Sequence, residues 1–193
     1  MESRGVAYIS YWQVDNPLIK PFDTLFLGLH AMEEAEVSCR GLSKVDPMEK
    51  LGNFCHVGGR VEIVEYSDMP ETLCRAVNED GSLRFRMGSP AIHIFDRAFV
   101  ARLNEGGHVQ LPFHRAVKKV TSLDENGRLM VPEEPNAVKL EMFVFDALPL
   151  ASKVMILEAA REEQFGPVKN AMGVDSAESS RQLYQERCAR WLV

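Results

Sequence analysis

The segment Val6 to Val14, VAYISYWQV, constrains this chain more than any other. Its β-branched and aromatic residues predict a buried strand, which stops abruptly at Asp15-Asn16-Pro17. Such a strand delivers a carboxylate, Asp15, at its carboxyl end, and in open α/β sheets that end faces the ligand crevice. The strand begins within about six residues of the first, with no βα unit ahead of it. Neither G-x-G-x-x-G nor G-x-x-x-x-G-K-[ST] occurs, and the Gly-Gly pairs sit in apparent turns. A nucleotide-using fold built on this chain would lack its phosphate-cradling loop.

Beyond the strand, Asp23 is placed as an N-cap for a helix through about Ala35, with Phe26, Leu29, His30 and Met32 spaced for an inner face. From Gly52 the pattern turns to hairpins: GNFCHV, Gly58-Gly59 and RVEIVEY predict two strands around a tight glycine turn. Asn78 to Gly81 (NEDG) and Asp124 to Gly127 (DENG) are further turns. Ser89 to Phe95 is expected as one short strand and DRAFVARL after it as a short helix. Lys139 to Leu148 mixes both periods, so its type stays open. Val154 to Ala159 is a strand. Asp175 and Glu178 form a capping-box-like start to a last helix, with Leu183, Tyr184, Arg187, Cys188 and Trp191 at helical spacing.

Composition bounds the partners. With 193 residues, 46% hydrophobic and 26% charged, the chain has globular composition and length for one domain or a large part of one. A net charge of -6 argues against broad nucleic-acid binding, which needs a basic footprint. Small anionic substrates remain allowed, because a few lysines focused in a cleft outweigh the global charge. The four cysteines form no C-x-x-C pair and are expected as reduced thiols. No run of about 18 apolar residues predicts a membrane span, and MESRGVAYIS lacks a signal-peptide pattern, so a cytoplasmic location is expected.

Five short segments gather polar residues: VDN (14–16), VEYSD (64–68), GSPAIH (88–93), PNAVKLEMFVFD (135–146) and REEQFGPVKN (161–170). Each has an ordinary reading. Asp15 serves equally as a turn residue or a cap. Glu65, at a strand end, is most often a solvated residue, and Lys139 and Lys169 most often surface charges. His93 in an apolar strand is more often a hydrogen-bonded core histidine than a ligand, and Phe143 and Phe145 are most often core.

Taken in order, V-D-N, V-E-Y-S, G-x-x-A-x-H-x-F, P-N-x-x-K-x-E-x-F-x-F-D and R-E-E-x-F-x-P-x-K-N resemble the UDP-N-acetylhexosamine pyrophosphorylases, within the UTP-dependent sugar-1-phosphate uridylyltransferases. The resemblance runs from about Tyr8 to Trp191, and Pro135 to Asp146 is its most specific part. It implies an α/β fold: a partial Rossmann-like, glycosyltransferase-A-type nucleotidyltransferase with a mixed sheet, lacking the N-terminal nucleotide-binding βα units. Residues 1–193 would then be the sugar-phosphate-binding part of an incomplete catalytic domain.

The same resemblance implies roles. Asp15 corresponds to a carboxylate near the phosphates and Mg²⁺, and Lys169 to a phosphate-contacting catalytic lysine, with Lys139 a second. Glu65 corresponds to a glutamate that accepts hydrogen bonds from sugar hydroxyls, and Gly52 to a glycine whose backbone approaches the sugar. Asn136 and Ser89 are implied on the substrate side, and Phe143 and Phe145 as walls of the sugar pocket. Ser89 and Ile92 stand where eukaryotic members carry asparagines, which bears on discrimination between N-acetylated and plain hexose.

The expected activity is UTP plus hexose- or N-acetylhexosamine-1-phosphate giving UDP-sugar and pyrophosphate, with the lone chain inactive. The alternative is a silent module that keeps a sugar-phosphate or UDP-sugar pocket. A glycosyltransferase of the same general fold is disfavoured by the 135–146 and 166–170 segments. A truncated sheet would expose unpaired edges, so self-association or an N-terminal partner chain is expected.

Overall fold

The computed structural model describes residues 1–107 and 111–192. In chain order the strands are β1 (Tyr8–Tyr11), β2 (Val37–Ser43), β3 (Gly52–Val57), β4 (Arg60–Val64), β5 (Met87–Ser89), β6 (His93–Asp96), β7 (His114–Lys118), β8 (Ser122–Leu123), β9 (Leu129–Met130), β10 (Ala137–Glu141) and β11 (Val154–Glu158). The α-helices are α1 (Thr24–Met32), α2 (Glu71–Cys74), α3 (Arg97–Leu103), α4 (Arg161–Gln164) and α5 (Ala177–Trp191). Two 3-10 helices cover Glu2–Arg4 and Val144–Leu150.

Among the described residues, seven strands form one mixed sheet in the order β1-β6-β2-β5-β3-β4, with β11 on the other edge of β2. The pairing of β11 with β2 is parallel; the rest are antiparallel. The expected mixed α/β architecture is therefore present, with a largely antiparallel sheet. β2 is its centre, buried at every residue but Ser43. One edge of β2 takes β6 along Val37 to Cys39 and β5 along Leu42 to Ser43.

Alternation along β2 divides the interior. Val37 and Cys39 join a core with Phe54, Ile63, Phe95, Phe99, Phe145 and Leu148. Ser38 and Arg40 face the opposite side and meet α1: His30 Nδ1 lies 2.7 Å from Ser38 Oγ, and the Arg40 guanidinium donates to Asp23 Oδ2 at 2.6 Å while lying 4.3 Å from the Phe26 ring centroid. Each of these polar groups finds a partner that offsets its burial, although His30 Nε2 is left without one among the described residues. Asp23 also caps α1 by accepting from Phe26 N–H, as its position predicts.

Other expectations hold. β3 and β4 form the predicted hairpin around Gly58 (φ 55°) and Gly59 (φ 85°), the two left-handed residues that a type I′ turn requires. DENG links β8 to β9, α3 lies within DRAFVARL as expected, with Asp96 as its cap, and β11 lies within Val154 to Ala159.

Several expectations are corrected. The strand from Val6 to Val14 shrinks to β1, which pairs only with β6 and is an edge rather than a buried strand. Its aromatic residues therefore stay partly in solvent, and Val14 is 91% exposed. α1 ends at Met32, which points outward, and Glu34 has left-handed φ 50°. Ser89 to Phe95 is not one strand: Pro90 supplies no N–H and Ala91 sits at φ 56°, so β5 and β6 separate and pair with different parts of β2. Lys139 to Leu148 contains both types, β10 followed by a 3-10 helix. The last helix is capped one residue later than expected, by a Ser176–Ser179 box. Its buried residues are Ser180 and Arg187, whereas Tyr184 and Trp191 are exposed.

Candidate functional site

A cavity of about 290 Å³ opens where the start of β3, the end of β4 and the β5–β6 connection approach the segments around Phe143 and Phe165. Of the residues singled out in the sequence, Gly52, Glu65, Ser89, Phe143, Phe145 and Lys169 all line it. These residues lie far apart in the chain, so the sheet brings them together.

Gly52 pairs with Ser89 across the β3–β5 ladder. A Cβ at Gly52 would stand 2.5 Å from Ile63 Cγ2 and 3.4 Å from Glu65 Oε1, so the glycine lets the end of β4 close on the start of β3. Glu65 follows β4 directly and is half-buried rather than solvated. Burial is the main reason its carboxyl is pushed above the usual range; Asp68 adds to this, while His114 and Lys169 oppose it. Ser89 is buried, and its Oγ accepts from Ala91 N–H at 3.3 Å. Phe143 and Phe145 stack at 4.9 Å with 15° between their planes. Phe145 is buried in the core, as its ordinary reading has it, and also lines the cavity. Lys169 lies 5.9 Å from the Phe165 ring, and its backbone is fixed by donation to Asp175 O at 2.7 Å.

The turn after β1 holds the segment that carries Lys169. Asp15 O accepts from Val168 N–H at 2.7 Å. Asn16 is buried; its Nδ2 donates to Gln164 O at 2.8 Å and its Oδ1 accepts from Gly166 N–H at 3.0 Å and Leu18 N–H at 3.3 Å. Arg187 from α5 donates to Leu18 O and Glu163 O, and Ser180 donates to Gly166 O. Asp15 Oδ1 is buried and has no hydrogen-bond partner among the described residues. Those residues contain no group of three or more histidine, cysteine, aspartate or glutamate side chains arranged to hold an ion.

Asp15, Lys139 and Asn136 are not among the residues that line the cavity. Lys139 is exposed on β10 and pairs with Glu141 at 2.6 Å. Asn136 bonds through its side chain to Val120 N–H and O, closing the loop side of the β7–β10 ribbon. Ile92 turns to the other face of the sheet, where it packs with Ile19, Phe26 and Ile94 and lines a separate, mainly apolar cavity of about 280 Å³. The first cavity is the better candidate because six of the singled-out residues line it, whereas in the second the carboxylate of Asp23 is already taken by Arg40 and the Phe26 N–H. His93 is the hydrogen-bonded core histidine its setting suggests, with Nδ1 3.1 Å from Cys39 Sγ and its titration pushed down to about 4 by burial.

Sequence reasoning did not single out Gln13, Lys50, Tyr66, Ala91 and Phe165, which also line the cavity. Tyr66, Ala91 and Phe165 lie inside the polar segments already noted; Gln13 and Lys50 carried no signal.

No family model matches the chain. Human UDP-N-acetylhexosamine pyrophosphorylase-like protein 1 is 36% identical over 195 residues, covering 100% of this chain and 38% of that protein. Over its whole length the chain is therefore similar to UDP-N-acetylhexosamine pyrophosphorylases. UDP-N-acetylglucosamine diphosphorylase 2 of Arabidopsis thaliana is 33% identical over 198 residues, again 100% of this chain and 38% of the relative. The crystal structure of the Trypanosoma brucei uridine diphosphate N-acetylglucosamine pyrophosphorylase, in complex with an inhibitor, superposes with TM-score 0.83 at 25% identity over 99% of this chain and 37% of that one. The chain thus spans about 38% of the length of these curated relatives. No helix among its described residues is long and apolar enough to cross a membrane.

Proposed function

We propose that the cavity holds the sugar-phosphate moiety in uridylyl transfer, the reaction of UTP with a hexose- or N-acetylhexosamine-1-phosphate to give UDP-sugar and pyrophosphate. The observation that supports this best is the convergence of Glu65, Lys169, Gly52, Ser89 and the Phe143–Phe145 stack on one space. In the reaction an oxygen of the sugar phosphate attacks the α-phosphorus of UTP and pyrophosphate leaves. The protein's task is to place two polyanions in line and offset their charge. Glu65 would accept hydrogen bonds from sugar hydroxyls. The stacked phenylalanines would cover the apolar face of the ring, and Lys169 would stabilise charge on the phosphate.

Asp15 is the residue that would hold Mg²⁺. Its buried, unpartnered Oδ1 fits a carboxylate awaiting a cation, and one carboxylate plus substrate phosphates is a usual Mg²⁺ environment. When bound, the ion would neutralise phosphate charge. Of the two positions expected to bear on N-acetyl recognition, Ser89 remains as the sugar-discriminating residue in this reading. A cytoplasmic setting goes with it, since the four cysteines are free thiols.

Isothermal titration of the purified chain with N-acetylglucosamine-1-phosphate and glucose-1-phosphate tests the pocket. Saturable binding that falls about tenfold or more in Lys169→Ala supports it; no binding of either ligand refutes it. Pyrophosphate release from UTP with Mg²⁺ is expected to stay below about 1 per second, since the sequence has no glycine-rich phosphate loop. Binding without turnover would make the chain, taken alone, a sugar-phosphate-binding module.

A further inference from the structure

We propose that His114 is a positioning residue: held between Asp146 and Asp68, it ties the turn bearing Glu65 to the Phe143–Phe145 wall and so sets the width of the cavity. Its bearing on affinity rests on the sugar-phosphate reading above; the tie itself does not. His114 opens β7, outside the residues that line the cavity. Its Nε2 lies 2.8 Å from Asp146 Oδ2 and its Nδ1 3.7 Å from Asp68 Oδ2, while its ring packs 4.7 Å from the Phe143 ring. One imidazole thus touches both walls.

The two carboxylates differ in firmness. Asp146 belongs to the 3-10 helix whose Phe145, Ala147 and Leu148 are core residues, and its side chain is only 14% exposed. It is an anchor. The Asp68 side chain is 55% exposed, yet its backbone N–H donates to Glu65 O at 3.0 Å, and Met69 N–H donates to the same oxygen at 3.1 Å. A pull on Asp68 therefore acts on the turn that begins with Glu65. The charged groups facing His114 are Asp146 from the 3-10 helix, Asp68 and Glu65 from the turn after β4, and Glu141 opposite it on β10. Glu141 is already engaged by Lys139. All four are carboxylates, which only accept, so it is the ring's N–H groups that can bond Asp146 and draw Asp68, 3.7 Å away, while the ring face packs on an aromatic ring.

Two variants separate bridging from packing. His114→Phe keeps a ring against Phe143 and removes both nitrogens; His114→Gln keeps a donor for Asp146. After thermal unfolding confirms that each folds, hydrogen exchange is followed at Asp68 and Met69. Exchange at these amides should quicken about tenfold in His114→Phe, with β11 amides unchanged. In titrations with N-acetylglucosamine-1-phosphate, His114→Phe should bind about tenfold more weakly than the unaltered chain and His114→Gln should recover part of the loss. Unchanged exchange in His114→Phe overturns the tie, and unchanged affinity in that variant overturns its role in the site. Should the unaltered chain bind no sugar phosphate, the site reading fails while the exchange result still judges the tie.

Discussion

Replacing Gly52 by alanine tests whether the close approach of β3 and β4 builds the cavity. Alanine in a strand is favoured over glycine by about 0.5–1 kcal/mol, because glycine loses more conformational freedom on folding. Against that, the new Cβ would stand 2.5 Å from Ile63 Cγ2, closer than carbon atoms pack. Ile63 is buried and β-branched, so its methyl cannot swing away cheaply. Overpacking of this kind costs about 1–3 kcal/mol, so the clash wins and the net loss is on the order of 1 kcal/mol. Glu65 Oε1, at 3.4 Å from the same Cβ, must also yield slightly, and sugar-phosphate affinity should fall with stability. Urea unfolding reports the first effect and titration calorimetry the second. Ile63→Ala alone should cost about 2–5 kcal/mol, but with Gly52→Ala the costs should fall short of additive by about 1–3 kcal/mol, the size of the clash that the missing side chain removes. As a control, Gly28→Ala in α1 meets nothing within 4 Å and should stabilise by about 0.5–1 kcal/mol. If Gly52→Ala is as stable as the original chain, or its cost adds fully to that of Ile63→Ala, the reasoning is wrong.

Other tests probe separate parts of the molecule. Burial pushes the Glu65 carboxyl up, and it is the stronger and fuller acceptor when ionised, so sugar-phosphate affinity should drop as pH falls, at a higher pH than for an unperturbed glutamate. Glu65→Gln should bind weakly and lose that dependence in calorimetry across pH. His93, fully buried, has its titration lowered from 6.5 to about 4. Its contribution is present above about pH 6.5 and is lost on acidification towards 4, because there the unfolded chain binds the extra proton; the loss is about 3 kcal/mol. Urea midpoints over that range should show a slope that His93→Asn reduces. Asn16→Ala removes three hydrogen bonds at a buried position and strands Gln164 O and Gly166 N–H, so thermal unfolding should show a loss of about 2–4 kcal/mol.

Local patterns made part of the fold legible. The Gly58-Gly59 hairpin, the Asp23 cap, the short helix α3 and the apolar run of β11 each follow from chemistry within a few residues. β2 was missed because VSCRGLS reads as polar: Ser38 and Arg40 suit a central strand only because His30 and Asp23, on and before α1, supply their partners. No property of the strand itself announces that. β1 failed in the opposite direction, since its aromatic content suits burial, while the sheet leaves it an edge. At Asp175 and Ser176 the cap falls one residue from the expected place, because boundary signals of Ser, Asp and Glu do not resolve one residue.

The site was legible to the extent that its residues must be polar or glycine in their own segments. Glu65, Lys169, Ser89 and Gly52 met that condition and converge; Lys139 and Asn136 met it for a different reason, as surface partners on the β7–β10 ribbon. Asn16 shows where segment reading stops. It touches no part of the cavity lining through a charge, yet its three hydrogen bonds hold the turn after β1 against Gln164 and Gly166 and so support Phe165 and Lys169 at the mouth. The same reasoning applies to Arg187, buried on the last helix with its guanidinium on Leu18 O and Glu163 O. A cavity assembled from loops at the end of a sheet takes its chemistry from the residues that face the ligand. It takes its geometry from buried polar groups that bond to backbone, and those can be found only once the chain is folded.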